Sequence, residues 1–228
     1  MRLPFRATEV AALLALAVLA VGCEKTTAGT ATGGGSSSTV ATTSTTRVPD
    51  PAAPVPGVET TLPDHIPPNA LVCFPPPPAT GSMTKASVAD PAAPVLTVPL
   101  PDGWPTTPGT GDVALTATGP DGMSARVSIA RTDLEPGGAF LRYATDLRTA
   151  RPGINVTVTA AQFCGYSSQL LSGTGGGAGA NDIADRITHV WTNTQTYLVV
   201  VHLEGPGKAP GFDAAKSTVM QQFAVIIP

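Results

Sequence analysis

The chain has 228 residues, a formal net charge of -3 and only 13% charged residues. This charge balance excludes a strongly basic protein that binds nucleic acid electrostatically. Glycine and proline, with 24 residues each, cannot be spread evenly through a packed core. We therefore expect one globular domain and a linker.

Residues 1–22 have the pattern of a signal peptide. An uninterrupted run of Ala, Leu and Val over residues 11–21 is shorter than the about 20 residues that a membrane-spanning helix needs. The small residues before Cys23 resemble the lipobox of bacterial lipoproteins, in which the signal is cut and the cysteine is diacylated. Ala20 stands where the usual lipobox has leucine, and the other interpretation is an ordinary secretory signal with a chance cysteine. We predict a lipid anchor at Cys23, on the extracytoplasmic face of the cell membrane.

Residues 23–92 are predicted to form a disordered tether. Tracts of Ser, Thr and Gly such as 33–38 show no helical or strand period, and they cannot bury enough surface to offset chain entropy. From Pro49 the segment becomes proline-rich, which favours extended polyproline II. The run Pro75–Pro78 could dock in an aromatic groove, but a spacer is the simpler interpretation.

The globular domain is predicted to span residues 93–228 and to begin with strands. Residues 95–98 precede a breaker, Pro99, and residues 113–118 and 125–130 alternate in polarity on either side of a turn signal. We expect these last two strands to pair as a hairpin. A helix is predicted to open at Glu135–Pro136, because proline is tolerated in the first turn, and to end at Pro152–Gly153.

The second half of the domain is also predicted to contain strands and a helix. The predicted elements are strands at 154–159 and 163–171, a hairpin of 183–191 with 197–203, a helix from Phe212 and an extended end at 224–227. The strand at 197–201 is almost wholly apolar, so we expect it to be central and covered on both faces. This order predicts an α+β domain, with an antiparallel β-sheet and the helices to one side.

Two cysteines remain after acylation of the first. Export places Cys73 and Cys164 in an oxidising compartment, so we predict that they form a disulfide. The alternative is a pair of free thiols. A redox pair is disfavoured because the two lack CxxC spacing.

Few residues in the chain suggest chemistry. The sequence has no GxSxG elbow, although Ser167 and Ser168 are candidate polar groups. His189 and His202 fall on opposed strands of one predicted hairpin, whereas His65 lies in the tether. As a third metal ligand for this pair only Asp185 or Glu204 is available, and neither is convincing. We therefore expect structural histidines and no metal site, cofactor or catalytic residue.

Two further features are weaker. The glycine-rich stretch at 173–180 lacks the GK[ST] of a phosphate loop and opens no helix, so we interpret it as a flexible connection. Trp104 and Trp191 are each isolated large apolar residues, and core packing is the default expectation for both.

A family resemblance rests on several short motifs in a shared order. Residues 98–104 contain a PxPxxW stretch, residues 163–168 resemble an F-x-G-F-x-S motif, and residues 197–199 spell YLV. Together with the lipobox and tether, this order resembles the LpqN/LpqT family of mycobacterial lipoproteins. The resemblance implies a PsbP-like α/β/α sandwich, with an antiparallel sheet between helices, and a place in the mycobacterial cell envelope. The cysteine pair and the glycine-rich loop depart from the family pattern.

Our functional expectation is a cell-envelope lipoprotein that presents a non-catalytic binding domain for a protein partner. The alternative is a carrier of a hydrophobic ligand, such as a lipid or cell-wall glycolipid. A carrier needs a cavity of several hundred cubic ångströms between sheet and helix, whereas a closed core would favour the protein partner. A hydrolase is the third hypothesis.

Overall fold

The structure is a computed structural model that describes residues 55–59, 65–175 and 179–228. The predicted signal peptide, Cys23 and the first part of the predicted tether lie outside the described residues. Within these ranges neither helix has the length and apolar character that a membrane crossing requires.

The described residues form eleven strands and two helices. In chain order these are β1 (Leu71–Cys73), β2 (Ser82–Ala86), β3 (Val95–Leu100), β4 (Thr106–Pro108), β5 (Val113–Thr118), β6 (Ser124–Arg131), α1 (Pro136–Ala150), β7 (Asn155–Phe163), β8 (Tyr166–Thr174), β9 (Asn181–Trp191), β10 (Thr196–Pro206), α2 (Phe212–Val219) and β11 (Ala224–Ile226).

Seven strands make the larger sheet, which is antiparallel in the order β4-β5-β6-β10-β9-β8-β7. The predicted hairpins β5/β6 and β9/β10 are both confirmed. Asn193 sits at the tip of the second with a φ of 67°, a left-handed conformation that asparagine tolerates better than most residues. Strand β10 is central and mostly buried, as its apolar run predicted.

The two helices cover opposite faces of this sheet. Alternate residues of β10, such as Val199 and Val201, belong to a core cluster that includes α2, whereas Val200 belongs to a separate cluster with α1. Because successive strand residues point to opposite faces, the sheet lies between the helices. This confirms an antiparallel sheet flanked by helices and corrects the expectation that both lie to one side.

The start of the ordered domain also differs from the prediction. A second, four-stranded antiparallel sheet has the order β1-β11-β3-β2, and its strands β1 and β2 lie within residues 23–92, which composition assigned to the tether. Strand β1 pairs with β11, at the far end of the chain, and β2 pairs with β3, the next strand along it. Composition alone cannot reveal such pairing, because the partner strands supply the hydrogen bonds.

The predicted disulfide is present between Cys73 and Cys164, with their Cα atoms 5.6 Å apart. It ties β1 to the turn between β7 and β8. That turn is Cys164–Gly165, with φ values of 49° and 80°, so Phe163 closes β7 instead of opening the next strand. Helix α2 ends at Val219, and Phe223 is buried beyond its end.

Candidate functional site

Helix α1 begins where the sequence predicted, and the candidate site lies on the surface around this helix. Glu135 is its N-cap and Pro136 its first residue, where the missing N–H of proline is not needed. Phe140 and Ala144 are buried against the sheet together with Val200. An open groove lies on each side of the helix.

The groove on the β6 side has a volume of about 510 Å³. Ala130 and Leu198 of the sheet and Tyr143 of the helix form part of its lining. Its lining also carries two exposed ion pairs, Arg131 with Asp133 at 4.0 Å and Arg142 with Asp146 at 3.8 Å. We call this space the β6 groove.

The groove on the β7 side has a volume of about 290 Å³ and a mainly aliphatic lining. Its lining residues are Val55, Gly137, Phe140, Leu141, Ala144, Arg148, Val158 and Gln169. The one charged side chain among them is Arg148. We call this space the β7 groove.

The wall that Val55 contributes to the β7 groove comes from the segment 55–59, which the sequence assigned to the tether. The backbone N–H of Ser168 donates to the carbonyl of Gly57 at 2.8 Å. The amide of Gln169 donates to the Pro56 carbonyl at 2.7 Å, and the Ser167 hydroxyl accepts from Glu59 N–H at 2.8 Å. The candidate serines Ser167 and Ser168 therefore hold this segment on the sheet.

A buried polar network lies on the α1 face of the same sheet. His202 of β10 and Asp185 of β9 are directly opposite each other, and Nδ1 of the imidazole is 2.5 Å from Oδ1 of the carboxylate. Its Nε2 is 3.2 Å from Oε2 of Glu204. Glu204 also accepts from the guanidinium of Arg151, which caps α1, and from the amide of Asn181.

The charges of this network follow from its contacts. Burial alone would lower the pKa of His202, but the hydrogen bonds and charges of Asp185 and Glu204 outweigh it and raise the pKa. Burial would raise the pKa of Glu204, yet its bonds to Arg151, Asn181 and His202 bring the pKa to about 2. Both ring nitrogens of His202 face carboxylate oxygens, and the raised pKa favours the doubly protonated imidazolium, which can donate to both.

Tyr143 links this network to the β6 groove. Its pKa is raised by burial and by the nearby charge of Asp185. Oδ2 of Asp185 is buried without a hydrogen-bond partner among the described residues. The sequence suggested Asp185 and Glu204 only as weak metal ligands, and it missed Arg151 and Tyr143, which α1 brings to the sheet.

The two histidines of the hairpin are not brought together. His189 lies four residues along β9 from Asp185, the residue opposite His202, which places it about 13 Å along the strand from that pair. Its Nε2 donates to the Leu134 carbonyl at 2.9 Å, and burial lowers its pKa. No group of three or more His, Cys, Asp or Glu in the described ranges has an arrangement suited to a metal ion.

The remaining candidates are peripheral to these grooves. His65 is exposed. Trp104 and Trp191 are partly buried and pack against the margin of the α2-side core, which agrees with the expected core packing.

Comparison with known proteins adds a likeness of fold. The structure is similar to the crystal structure of LpqN of Mycobacterium tuberculosis, described as involved in cell envelope biogenesis. The TM-score is 0.50 at 18% sequence identity, over 64% of this chain and 91% of that one. No family model and no curated protein match the chain. The likeness supports the predicted fold relationship.

Proposed function

We propose that the chain is a cell-envelope lipoprotein of the LpqN/LpqT type, anchored through Cys23, whose folded domain binds a partner protein at the surface around α1. The envelope location is supported by the fold shared with LpqN, by the lipobox and by the disulfide, which suits an exported protein. The binding role is supported by the distribution of exposed apolar residues.

Apolar exposure is concentrated beside α1. The large hydrophobic residues exposed in the described ranges are Val55, Leu71, Phe74, Leu134, Leu141 and Val158. Four of the six line the two α1 grooves, and Leu141, at 69% exposure, projects from the helix itself. Apolar side chains gathered on one surface and rimmed by charges are typical of a protein-binding site.

A protein suits the β6 groove better than a lipid does. The β6 groove has the volume that a carrier would need, but four charged side chains line it. An acyl chain would have to desolvate those charges without offering them hydrogen bonds, whereas a polypeptide can pair with them.

The proposal can be tested by photocrosslinking in cells that make the full chain. A photoreactive amino acid is placed at Leu141, with Leu71 on β1 as a matched control at 49% exposure. We expect a discrete crosslinked protein from position 141 and none from position 71. A lipid adduct at 141 would favour the carrier, and equal crosslinking at both positions would contradict a site at α1.

The anchor has a separate test. Cys23→Ser should release the chain from the membrane fraction, because no acyl chains remain to hold it. A variant that stays with the membrane in detergent-free extracts would contradict the lipobox interpretation.

A further inference from the structure

Strand β7 is an exposed edge that differs from the other sheet edges in the described part of the chain. It closes one side of the seven-stranded sheet, and among the described residues its only strand partner is β8. It is nine residues long and pairs in unbroken register, and six of its residues are exposed. Its sequence, NVTVTAAQF, has no charge and no proline.

Each of the other edges carries a feature that discourages strand pairing. Strands β1 and β4 are only three residues long, and β4 ends in Pro108. Strand β2 has five residues and includes Lys85. Short length, proline and lysine are the devices by which proteins protect sheet edges. Strand β7 has none of them, so its edge is suited to receive another strand.

The outward backbone groups of β7 can be assigned. The Gln222 side-chain amide donates to the carbonyl of Gln162 at 2.9 Å, from outside the β7/β8 ladder. Since the backbone groups of alternate strand residues point the same way, those of Val158 and Ala160 also point outwards. They offer donors and acceptors to an incoming strand.

The β7 groove lies next to this edge. Val158 belongs to both, and Phe140, Leu141 and Ala144 continue the aliphatic lining onto α1. A strand added to β7 would direct alternate side chains towards α1, where the groove can receive an aliphatic group. Arg148 is the charged residue of the groove, and in the described part of the chain no carboxylate lies within ion-pair distance of it.

We propose that β7 is a strand-addition site, and that its occupant is an extended segment of the partner protein with an aliphatic residue for the β7 groove and a carboxylate for Arg148. This deepens the proposed function and rests on it in one respect, that the partner is a protein. A second copy of β7 fits less well because that strand has no acidic residue to place at Arg148.

The probe is a displayed library of random twelve-residue peptides, selected against the folded full chain in detergent. We expect the selected peptides to share aliphatic residues with an Asp or Glu. Their addition should slow amide hydrogen exchange at Val158 and Ala160. Selected peptides that leave the exchange of both amides unchanged would overturn the proposal.

Two substitutions separate backbone pairing from charge recognition. Ala160→Pro removes an outward N–H without removing a bond to β8, a position at which edge strands tolerate proline, and should weaken peptide binding at least about tenfold. Arg148→Gln should weaken binding of the acidic peptides by about three- to tenfold, whereas Arg142→Gln, in the other groove, should not. Because Arg148 is exposed, Arg148→Gln should fold normally. The comparison of Arg148→Gln with Arg142→Gln therefore still tests recognition of the peptide carboxylate if the proline variant fails to fold.

The other occupants give different results. Amides at Val158 and Ala160 that are already protected in the free, monomeric chain would mean that its own N-terminal segment fills the edge. A dimer that Ala160→Pro dissociates would mean that a second copy does. Either result overturns the proposal.

The crosslinking experiment separates this inference from the proposed function. If the crosslink at position 141 persists in Ala160→Pro, the inference fails while the proposed function stands. If no crosslink forms in the wild type, the proposed function fails first.

Discussion

The two faces of the seven-stranded sheet are held by different forces. On the α2 face, apolar side chains from both sheets and the helix form one large cluster, in which Phe163 and Phe223 pack with ring centroids 4.3 Å apart. On the α1 face, a cluster of only five buried apolar residues is accompanied by the Asp185–His202–Glu204–Arg151 network. The first face forms the larger core, whereas the second combines a smaller core with the β6 and β7 grooves and with most of the exposed large apolar residues.

This difference explains why binding is proposed for the α1 face. The α2 face is covered by the second sheet and helix α2 and keeps a groove of about 300 Å³ beside Trp104 and Ala215, whereas four of the six exposed large apolar residues lie around α1. Arg186 illustrates the closed side, since its guanidinium donates to the Met220 carbonyl at 3.0 and 2.7 Å and lies over Phe163. Burial lowers its pKa to about 10, so the charge is retained there as a structural group.

The largest effect should come from opening the α2 face. Phe163→Ala removes a buried ring from contact with Phe223, and we expect it to cost about 3–5 kcal/mol of unfolding free energy. Phe74→Ala is the matched control, because that ring is 74% exposed and its loss should cost less than about 0.5 kcal/mol. Chemical denaturation with the disulfide intact measures both. Equal losses for the two variants would contradict the core assignment.

A smaller, pH-dependent effect should come from the network on the α1 face. Because the folded pKa of His202 is raised, its protonated form is favoured in the folded state. The stability it contributes is therefore complete below the ordinary histidine pKa of about 6.5, and it is lost as the pH rises through the folded value. His202→Gln should cost about 1–3 kcal/mol at pH 6 and should abolish this loss of stability at higher pH.

His189 provides the control for that experiment, since its pKa is shifted in the opposite direction from that of His202. Burial lowers the folded pKa of His189. The stability that its neutral form contributes is therefore present above the ordinary histidine pKa of about 6.5, and it is lost as the pH falls from there through the lower folded value. His189→Asn should keep the alkaline loss of stability that His202→Gln removes. Unfolding measured from pH 5 to 9 distinguishes the two, and identical profiles would mean that the Asp185 and Glu204 contacts do not set the charge of His202.

Local sequence patterns were sufficient for part of this fold. Alternating polarity identified β5 and β6, and the Glu135–Pro136 signal identified the start of α1, because these features depend on neighbours in the chain. Strand β1 was missed because it is three residues long and pairs with residues more than 150 positions away, and β2 because its five residues, SMTKA, show no clear apolar alternation. The site was harder still: Arg151 meets Glu204 only because α1 packs across the sheet, and no spacing in the sequence records that crossing.

The smallest global effect, and the most local one, should come from Gly57 on the α1 face. Its φ is +76°, and a Cβ atom added there would lie 2.0 Å from the carbonyl oxygen of Ser168. Gly57→Ala therefore adds a backbone clash to the ordinary cost of a left-handed residue, about 1–2 kcal/mol. The segment 55–59 can relieve both by leaving the sheet, so the unfolding free energy of the domain should fall by less than about 1 kcal/mol.

The Ser168 amide reports that detachment, because its N–H donates to the Gly57 carbonyl. Its hydrogen exchange should accelerate in Gly57→Ala by far more than the change in global stability explains. Gly153→Ala is the matched control, since Gly153 has a φ of +83° but no atom within 4 Å of an added Cβ; it carries the backbone strain without the clash. Unchanged exchange at Ser168 in Gly57→Ala would mean that residues 55–59 are not held on the sheet. In that case the β7 groove would lose the wall that Val55 provides, and the contrast between the two faces would become sharper.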